Sequence, residues 1–327
     1  MKGIFKSLVV AILIGSVSMP TVKKIASIAE EAAKSEYIYL IAGLDDAAQN
    51  TDVLALISYS AGDNSASLIQ IPRDTYVKYD GKEGRINHLY SSYRNGGLSN
   101  EKSMQKTVEF LSRNLGIEID GYAAVTTKVF RDLVDAIGGV TVYMPSEFVY
   151  SDPKGNNSFV LPKGENLIDG RTAELFVRHR KSYSNGDLGR LDAQKIFFDG
   201  LYNTAIKKIG LYDFIRCISS VKGDIITDFS VSDLLIMVLK HSSKFKDVEL
   251  SYVTMPGAAL KTSSGKWYYI LNKSSCEDLL TAKIQSFNGN FDADGRFVDN
   301  TNQAFMDIYN RRDIEYKEYS ASELPGI

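Results

Sequence analysis

Tyr37-Ile38-Tyr39-Leu40-Ile41-Ala42-Gly43 and, after a polar loop, Val53-Leu54-Ala55-Leu56-Ile57-Ser58-Tyr59 decide the fold class. Both runs are short and rich in aliphatic and aromatic side chains that suit a pleated sheet. Gly, Asp and Asn punctuate them. Residues 67–71 form a third such run, stopped by Pro72. Further along the chain the period changes. Met104, Val108, Leu111 and Leu115 recur at helical spacing, with Gly116 as a stop. Val129, Phe130, Leu133, Val134 and Ile137 mark another helix, closed by Gly138-Gly139, and residues 140–144 return as a strand before Pro145. Residues 190–209 and 230–241 read as helices, the second opened by the capping pattern Ser230-x-x-Asp233. Residues 252–255 and 267–271 read as late strands. Alternation of this kind predicts an α/β domain with a mixed or parallel sheet and helices on both faces. No internal repeat or linker interrupts residues 37–284, so one domain is the simpler reading.

Composition narrows the chemistry. The 327 residues are 44% hydrophobic and 24% charged, which is globular. Lys and Arg number 38 against 40 Asp and Glu, a net charge of −2, so no basic excess points to nucleic acid. Two cysteines, Cys217 and Cys276, exclude a disulfide framework and a four-thiolate metal site, and both sit in apolar helical patterns expected in the core. The three histidines, His88, His179 and His241, lack the spacing of a zinc hydrolase. There is no Gly-x-Gly-x-x-Gly after the first strand, no P-loop and no Gly-x-Ser-x-Gly elbow. Any chemistry must rest on Asp and Arg.

The N-terminus points to the envelope. Lys2 and Lys6 precede a charge-free run over residues 7–22. Extended by Ile4 and Phe5, with Lys6 snorkelling, this reads as a signal-anchor, with a cleaved signal peptide as the alternative. Lysines at the start favour the N-terminus inside and the body outside. A short Ala/Glu/Lys-rich spacer, residues 25–34, follows.

The candidate site residues lie at strand and helix ends. Asp45 follows the first strand and Asp52 opens the second, where α/β sheets bind ligands. Two such acids could hold Mg²⁺ together with substrate phosphate oxygens, and they equally suit turn and capping chemistry. Pro72 stiffens the chain and fixes where Arg73 and Asp74 project, and Arg85 adds a cation in the next loop. Arg178-His179-Arg180 precedes Asp187-Leu188-Gly189-Arg190. An extended exit after a helix ending near Arg178 would aim both guanidiniums one way, with Asp187 orienting one of them. Arginine forks match phosphate oxygens. His179, between two cations, is read as structural. Asn290-x-Asp292-x-Asp294-Gly295 begins like a calcium loop, but Thr301 stands where the bidentate Glu belongs, so a tight turn is expected.

In order along the chain, Gly43-Leu44-Asp45, Thr51-Asp52-Val53-Leu54, Ile71-Pro72-Arg73-Asp74-Thr75 and Arg85-Ile86-Asn87 resemble the LytR-CpsA-Psr (LCP) family. So do Val134-Asp135-Ala136-Ile137-Gly138-Gly139-Val140, Leu161-Pro162-Lys163-Gly164, Ile168-Asp169-Gly170, Phe176-Val177-Arg178-His179-Arg180 and Asp187-Leu188-Gly189-Arg190. The resemblance implies an α-β-α sandwich with a central mixed sheet over residues 36–285. Before it lie residues 1–35, the tip, membrane segment and spacer; after it, residues 286–327 form an extension of unknown role. It also implies an enzyme held at the cytoplasmic membrane with its catalytic domain outside the cell. Such an enzyme moves a glycopolymer, a teichoic acid or capsular polysaccharide, from a polyprenyl-pyrophosphate carrier to peptidoglycan with Mg²⁺. Residue by residue, Asp45 and Asp52 match the metal-associated acids. Arg73, Arg85, Arg178, Arg180 and Arg190 match the pyrophosphate-binding arginines. Asp187 matches the acid that orients them, Asp74 the acid beside the first arginine, and Gln194 a polar residue one turn after the last. Asp46-Ala47-Ala48, Asn50, the short loop to Asp52 and Ala193-Gln194 depart from the family pattern. The competing readings are a non-catalytic polyprenyl-phosphate-binding scaffold or regulator and a hydrolase of lipid-linked pyrophosphate.

Overall fold

Strand β1 (Glu36–Leu44) alternates strictly: Ile38, Leu40, Ala42 and Leu44 enter the main core, while Tyr39, Ile41 and Gly43 face the other way. In the computed structural model this strand is central, and both of its faces are covered. The structure describes residues 34–45, 47, 50–152, 158–179, 183, 187–220, 225–229 and 244–325. The helix expected over residues 230–241, the expected N-terminal membrane segment and Arg180 lie outside these. No helix among the described residues is long and apolar enough to cross a membrane.

The chain proceeds through β2 (Thr51–Ser60), β3 (Ser65–Gln70), β4 (Tyr76–Tyr79), β5 (Lys82–Arg85), α1 (Leu89–Asn95) and α2 (Asn100–Leu115). Next come β6 (Gly121–Thr126), α3 (Thr127–Ala136), β7 (Val140–Met144), β8 (Phe148–Tyr150), β9 (Phe159–Leu161) and β10 (Gly164–Ile168). Helices α4 (Gly170–Arg178) and α5 (Asp187–Tyr202) follow, then a π-helical turn (Asn203–Ile209) and α6 (Leu211–Ser220). The last elements are β11 (Ile226–Thr227), β12 (Glu249–Thr254), β13 (Gly257–Lys261), β14 (Trp267–Leu271), α7 (Lys273–Lys283), α8 (Gln303–Tyr309) and β15 (Glu318–Ser320). The helix expected over 190–209 therefore starts at Asp187 and gives way to the π turn after Tyr202.

Seven strands form one mixed sheet in the order β11-β6-β1-β2-β3-β12-β15. The pairs β6–β1 and β3–β12 are parallel, and the remaining neighbours run antiparallel. One face buries Leu54, Leu56 and Ile69 against Met104 and Leu111 of α2 and Leu279 and Leu280 of α7. Leucines this fully buried each contribute about 1.5–3 kcal/mol. The opposite face meets α3, α4 and α5, whose second core joins Val134, Phe176 and Phe197 to Val140 and Val142 of β7. Helix α5 is buried nearly all round, which is why its sequence lacks a clean apolar stripe.

Of residues 286–327, expected as an extension, the described part to residue 325 is woven into the same fold. Phe291, Phe297, Phe305 and Tyr309 enter the main core, and β15 pairs with β12 as an edge strand. The Asp292–Gly295 segment is a turn: the Gly295 N–H donates to the Asp292 carbonyl at 2.9 Å, and Asp294 pairs with Arg113 at 2.6 Å. Cys276 is fully buried as expected, whereas Cys217 on α6 is only half-buried.

Candidate active site

Backbone bonds fix the loops that carry the charges. The β1–β2 hairpin closes through Asp45 N–H to the Asn50 carbonyl at 3.0 Å, with the Asn50 amide donating to Asp45 Oδ2 at 2.9 Å. After β3, Pro72 ends the ladder and its carbonyl accepts from both the N–H and the hydroxyl of Thr75 at 2.9 and 2.6 Å. The Asp74 carbonyl accepts from Tyr269 N–H, and the Arg73 carbonyl from Asn87 N–H. Arg73 and Asp74 therefore project from a clamped turn. Arg178 is the last residue of α4, and His179 leaves it with extended angles (φ −64°, ψ 148°), as the exit was read. The His179 ring sits among Phe148, Tyr150 and Tyr183 in edge-on contacts of 5.0–5.8 Å, which is a packing role. Gly189 is required there, because a Cβ at that position would lie 2.4 Å from Tyr183 Cβ.

The side chains alternate in sign through space. Arg85 Nη1 meets Asp74 Oδ1 at 3.1 Å, and Arg73 Nε lies 3.9 Å from that same oxygen. Arg73 Nη1 meets Asp52 Oδ1 at 2.7 Å, and Arg178 Nη2 lies 3.8 Å from Asp52 Oδ2. Arg178 Nη1 then reaches Glu174 Oε1 at 3.0 Å. A branch runs from Arg73 Nε to Asp187 Oδ1 at 3.6 Å and from Asp187 Oδ2 to Arg190 Nη2 at 3.0 Å. Arg190 is 1% exposed, and Asp187 supplies a counter-charge to that buried guanidinium. Arg73 Nε is buried without a hydrogen-bond partner among the described residues, a donor suited to an anion. His88 is exposed overall. Even so, partial desolvation and then the Arg85 guanidinium hold its imidazole below the usual value, with Asp74 opposing.

Beside this lattice a cavity of about 440 Å³ opens between the sheet and the helices, within the size range of ligand sites. Its walls are apolar: Tyr39, Ile41, Ala123 and Val125 from the sheet, Phe130 and Leu133 from α3, Phe197 and Leu201 from α5. Asp52, Glu174 and Arg178 line the same cavity, so it meets the charged lattice directly.

The structure thus connects Asp52, Arg73, Asp74, Arg85, Arg178, Asp187 and Arg190. Asp45 stands at the neighbouring hairpin end. Gln194 lines the cavity but its amide is committed to the fold: it donates to the Val177 carbonyl at 3.2 Å and accepts from Gln70 at 3.3 Å. No group of three His, Cys, Asp or Glu residues gathers as a metal cage among the described residues. Asp45 and Asp52 are hard oxygen donors, and one or two carboxylates beside substrate phosphate are what Mg²⁺ takes, so the donor set fits that ion. Glu174 was not foreseen. The spacings Arg171–Glu174 and Glu174–Arg178, three and four residues on one helix, were the signal for it.

A model of the LytR_cpsA_psr family matches residues 16–285. The Polyisoprenyl-teichoic acid–peptidoglycan teichoic acid transferase TagU of Bacillus anthracis is 27% identical over 267 residues, 80% of this chain and 82% of that protein. The crystal structure of B. subtilis TagU superposes with a TM-score of 0.57 at 25% identity, covering 78% of this chain and 98% of that one. Protein gbs0355 from Streptococcus agalactiae shares the fold, with a TM-score of 0.67 at 19% identity over 80% of this chain and 90% of its own.

Proposed function

The chain belongs to the LytR_cpsA_psr family, and on that premise we propose that it is a Mg²⁺-dependent phosphotransferase at the outer face of the cytoplasmic membrane. It would move a teichoic acid or similar glycopolymer from a polyprenyl-pyrophosphate carrier to peptidoglycan. One observation carries this reading: an apolar cavity and an arginine lattice share Asp52 and Arg178 as common walls. A lipid tail needs the first and a diphosphate needs the second.

Arg73, Arg85, Arg178 and Arg190, with Arg180 beyond the described residues, bind the diphosphate oxygens. The acids between them hold each guanidinium in place before substrate arrives. A hydroxyl of peptidoglycan attacks the polymer-linked phosphorus, forming a new P–O bond. The bond from that phosphorus to the bridging oxygen breaks, and polyprenyl phosphate leaves with that electron pair. Asp45 or Asp74 takes the hydroxyl proton. Asp45 and Asp52 would hold Mg²⁺, which when bound supplies charge neutralisation at the phosphates. Arginines aimed at the leaving phosphate stabilise the charge that develops there, and the apolar walls keep water from competing with the sugar hydroxyl.

The test supplies purified protein with lipid-linked polymer and Mg²⁺, with and without peptidoglycan. Polymer joined to peptidoglycan, lost on Arg73→Ala, supports transfer. Free phosphorylated polymer alone would identify a hydrolase, and carrier binding without turnover a scaffold.

A further inference from the structure

Glu174 accepts hydrogen bonds from three arginines, and only Arg178 belongs to the lattice described above. Its Oε2 receives Arg131 Nη1 at 2.7 Å and Arg171 Nη1 at 2.9 Å, while Oε1 receives Arg178. The carboxylate is 6% exposed, whereas Arg131 and Arg171 are 32% and 48% exposed. Each guanidinium is thus anchored through Nη1 on a buried acid while the side chain stays partly open to solvent. The backbone enforces this. Gly170 lies so close to α3 that a Cβ there would sit 2.3 Å from the Arg131 carbonyl oxygen, and its N–H donates to Asp135 Oδ1 at 2.7 Å. Asp169 caps α4 through Thr172 N–H, and Asp132 pairs with Lys128 at 2.6 Å.

Three guanidiniums in direct contact with one carboxylate exceed what an ion pair requires. We propose that Arg131 and Arg171, braced by Glu174 of the cavity wall, form a second phosphate subsite. It takes a phosphodiester of the anionic polymer carried by the lipid. The polymer as source rests on the transferase reading. Continuity supports it: Arg178 touches both Glu174 and Asp52, so one guanidinium links this pair of arginines to the diphosphate lattice. The forked donors match phosphate geometry.

The probe is a short glycerol-phosphate oligomer, titrated calorimetrically into the full chain and into R131Q/R171Q at several salt concentrations. The variant should bind about tenfold or more weakly, and with a shallower dependence on salt, since two charge-assisted contacts are lost. The lysine variant R131K/R171K should keep most of the salt dependence. Circular dichroism checks folding; if the double variant unfolds, R171Q alone should weaken binding about threefold. Unchanged affinity, or no oligomer binding by the unsubstituted protein, overturns the proposal. So does loss of binding to phosphatidylglycerol vesicles with oligomer binding intact, which would assign the patch to lipid headgroups. Binding is read without turnover. An inactive protein that binds the oligomer through these arginines would sink the transferase reading and leave the subsite standing.

Discussion

Asp187→Asn is the most informative single change, because it keeps the shape of the side chain and removes one charge from the centre of the lattice. Asp187 holds the buried Arg190 at 3.0 Å and lies 3.6 Å from Arg73 Nε. A hydrogen bond to a charged group is worth about 1.5–3 kcal/mol, and the neutral amide keeps part of it. Asp187 is 28% exposed, so solvent screens part of the loss. A cost of about 1–2 kcal/mol to stability follows, and Tm falls by a few degrees. The effect on catalysis should be larger, since two arginines lose their common brace at the proposed diphosphate site. If about 1.4–2.8 kcal/mol of transition-state stabilisation is lost, kcat falls about 10–100-fold. The assay follows labelled polymer from its lipid carrier onto peptidoglycan, beside thermal melts of the same preparations. A variant that turns over at the unsubstituted rate, whatever its Tm, would refute the claim that Asp187 sets the positions of Arg190 and Arg73.

Ala123→Trp projects bulk from β6 into the cavity and should raise KM for a long-chain carrier at least about tenfold, with a smaller effect on a short-chain analogue. Chelation should abolish transfer and Mg²⁺ restore it, and D45N should raise the Mg²⁺ concentration needed for half-maximal rate. D169A removes the cap at which the Asp169 carboxylate accepts from Thr172 N–H, costing about 1 kcal/mol at neutral pH. That backbone bond, then the Thr172 hydroxyl, holds the Asp169 pKa below the usual range. Its stabilisation is therefore present above about pH 4 and lost as pH falls through the lowered value, so melts of the two proteins should converge in acid. A chain ending at residue 285 loses Phe291, Phe297, Phe305 and Tyr309 from the core, about 6–12 kcal/mol of burial, and should yield no folded protein by circular dichroism.

Elements stabilised by their own sequence were legible in it. The runs at 37–43 and 140–144 alternate or saturate as strands must, and Gly116 stops α2 in the left-handed conformation (φ 68°) that glycine adopts at little cost. Long-range pairing was not legible. Nothing in residues 318–320 announces an edge strand, because three residues carry no period and β12 supplies their partner. The break in the helix over 190–209 is not legible for a related reason. The helical apolar spacing continues across Tyr202, while Gly200 must approach the Thr141 carbonyl, where a Cβ would lie 2.6 Å from the oxygen. At the site, residue types were readable but their order in space was not. Asp187, expected to orient Arg178 or Arg180, instead opens the helix and holds Arg190 three residues on and Arg73, because the helix begins three residues before the expected start. Arg73 against Asp52 needs the clamped turn after Pro72.

That order in space matters more than the list of residues. Four arginines gathered around an empty hollow would repel one another and cost stability. Interleaving Asp52, Asp74, Asp187 and Glu174 removes the repulsion, but each added acid also weakens the attraction for a diphosphate. The geometry limits this loss. Arg73 keeps a buried Nε donor for which the described residues provide no hydrogen-bond acceptor, and Arg178 is shared by Asp52 and Glu174 at 3.8 and 3.0 Å. The acids thus hold the guanidiniums without exhausting their donors. Because Asp52 and Arg178 also wall the apolar cavity, a lipid tail settling there displaces water from the same charges, and each remaining arginine–phosphate contact strengthens as the local dielectric falls. Tail and diphosphate should therefore bind with positive coupling. Inorganic pyrophosphate alone should bind weakly, and a short-chain prenyl diphosphate more tightly than its tail and head taken separately.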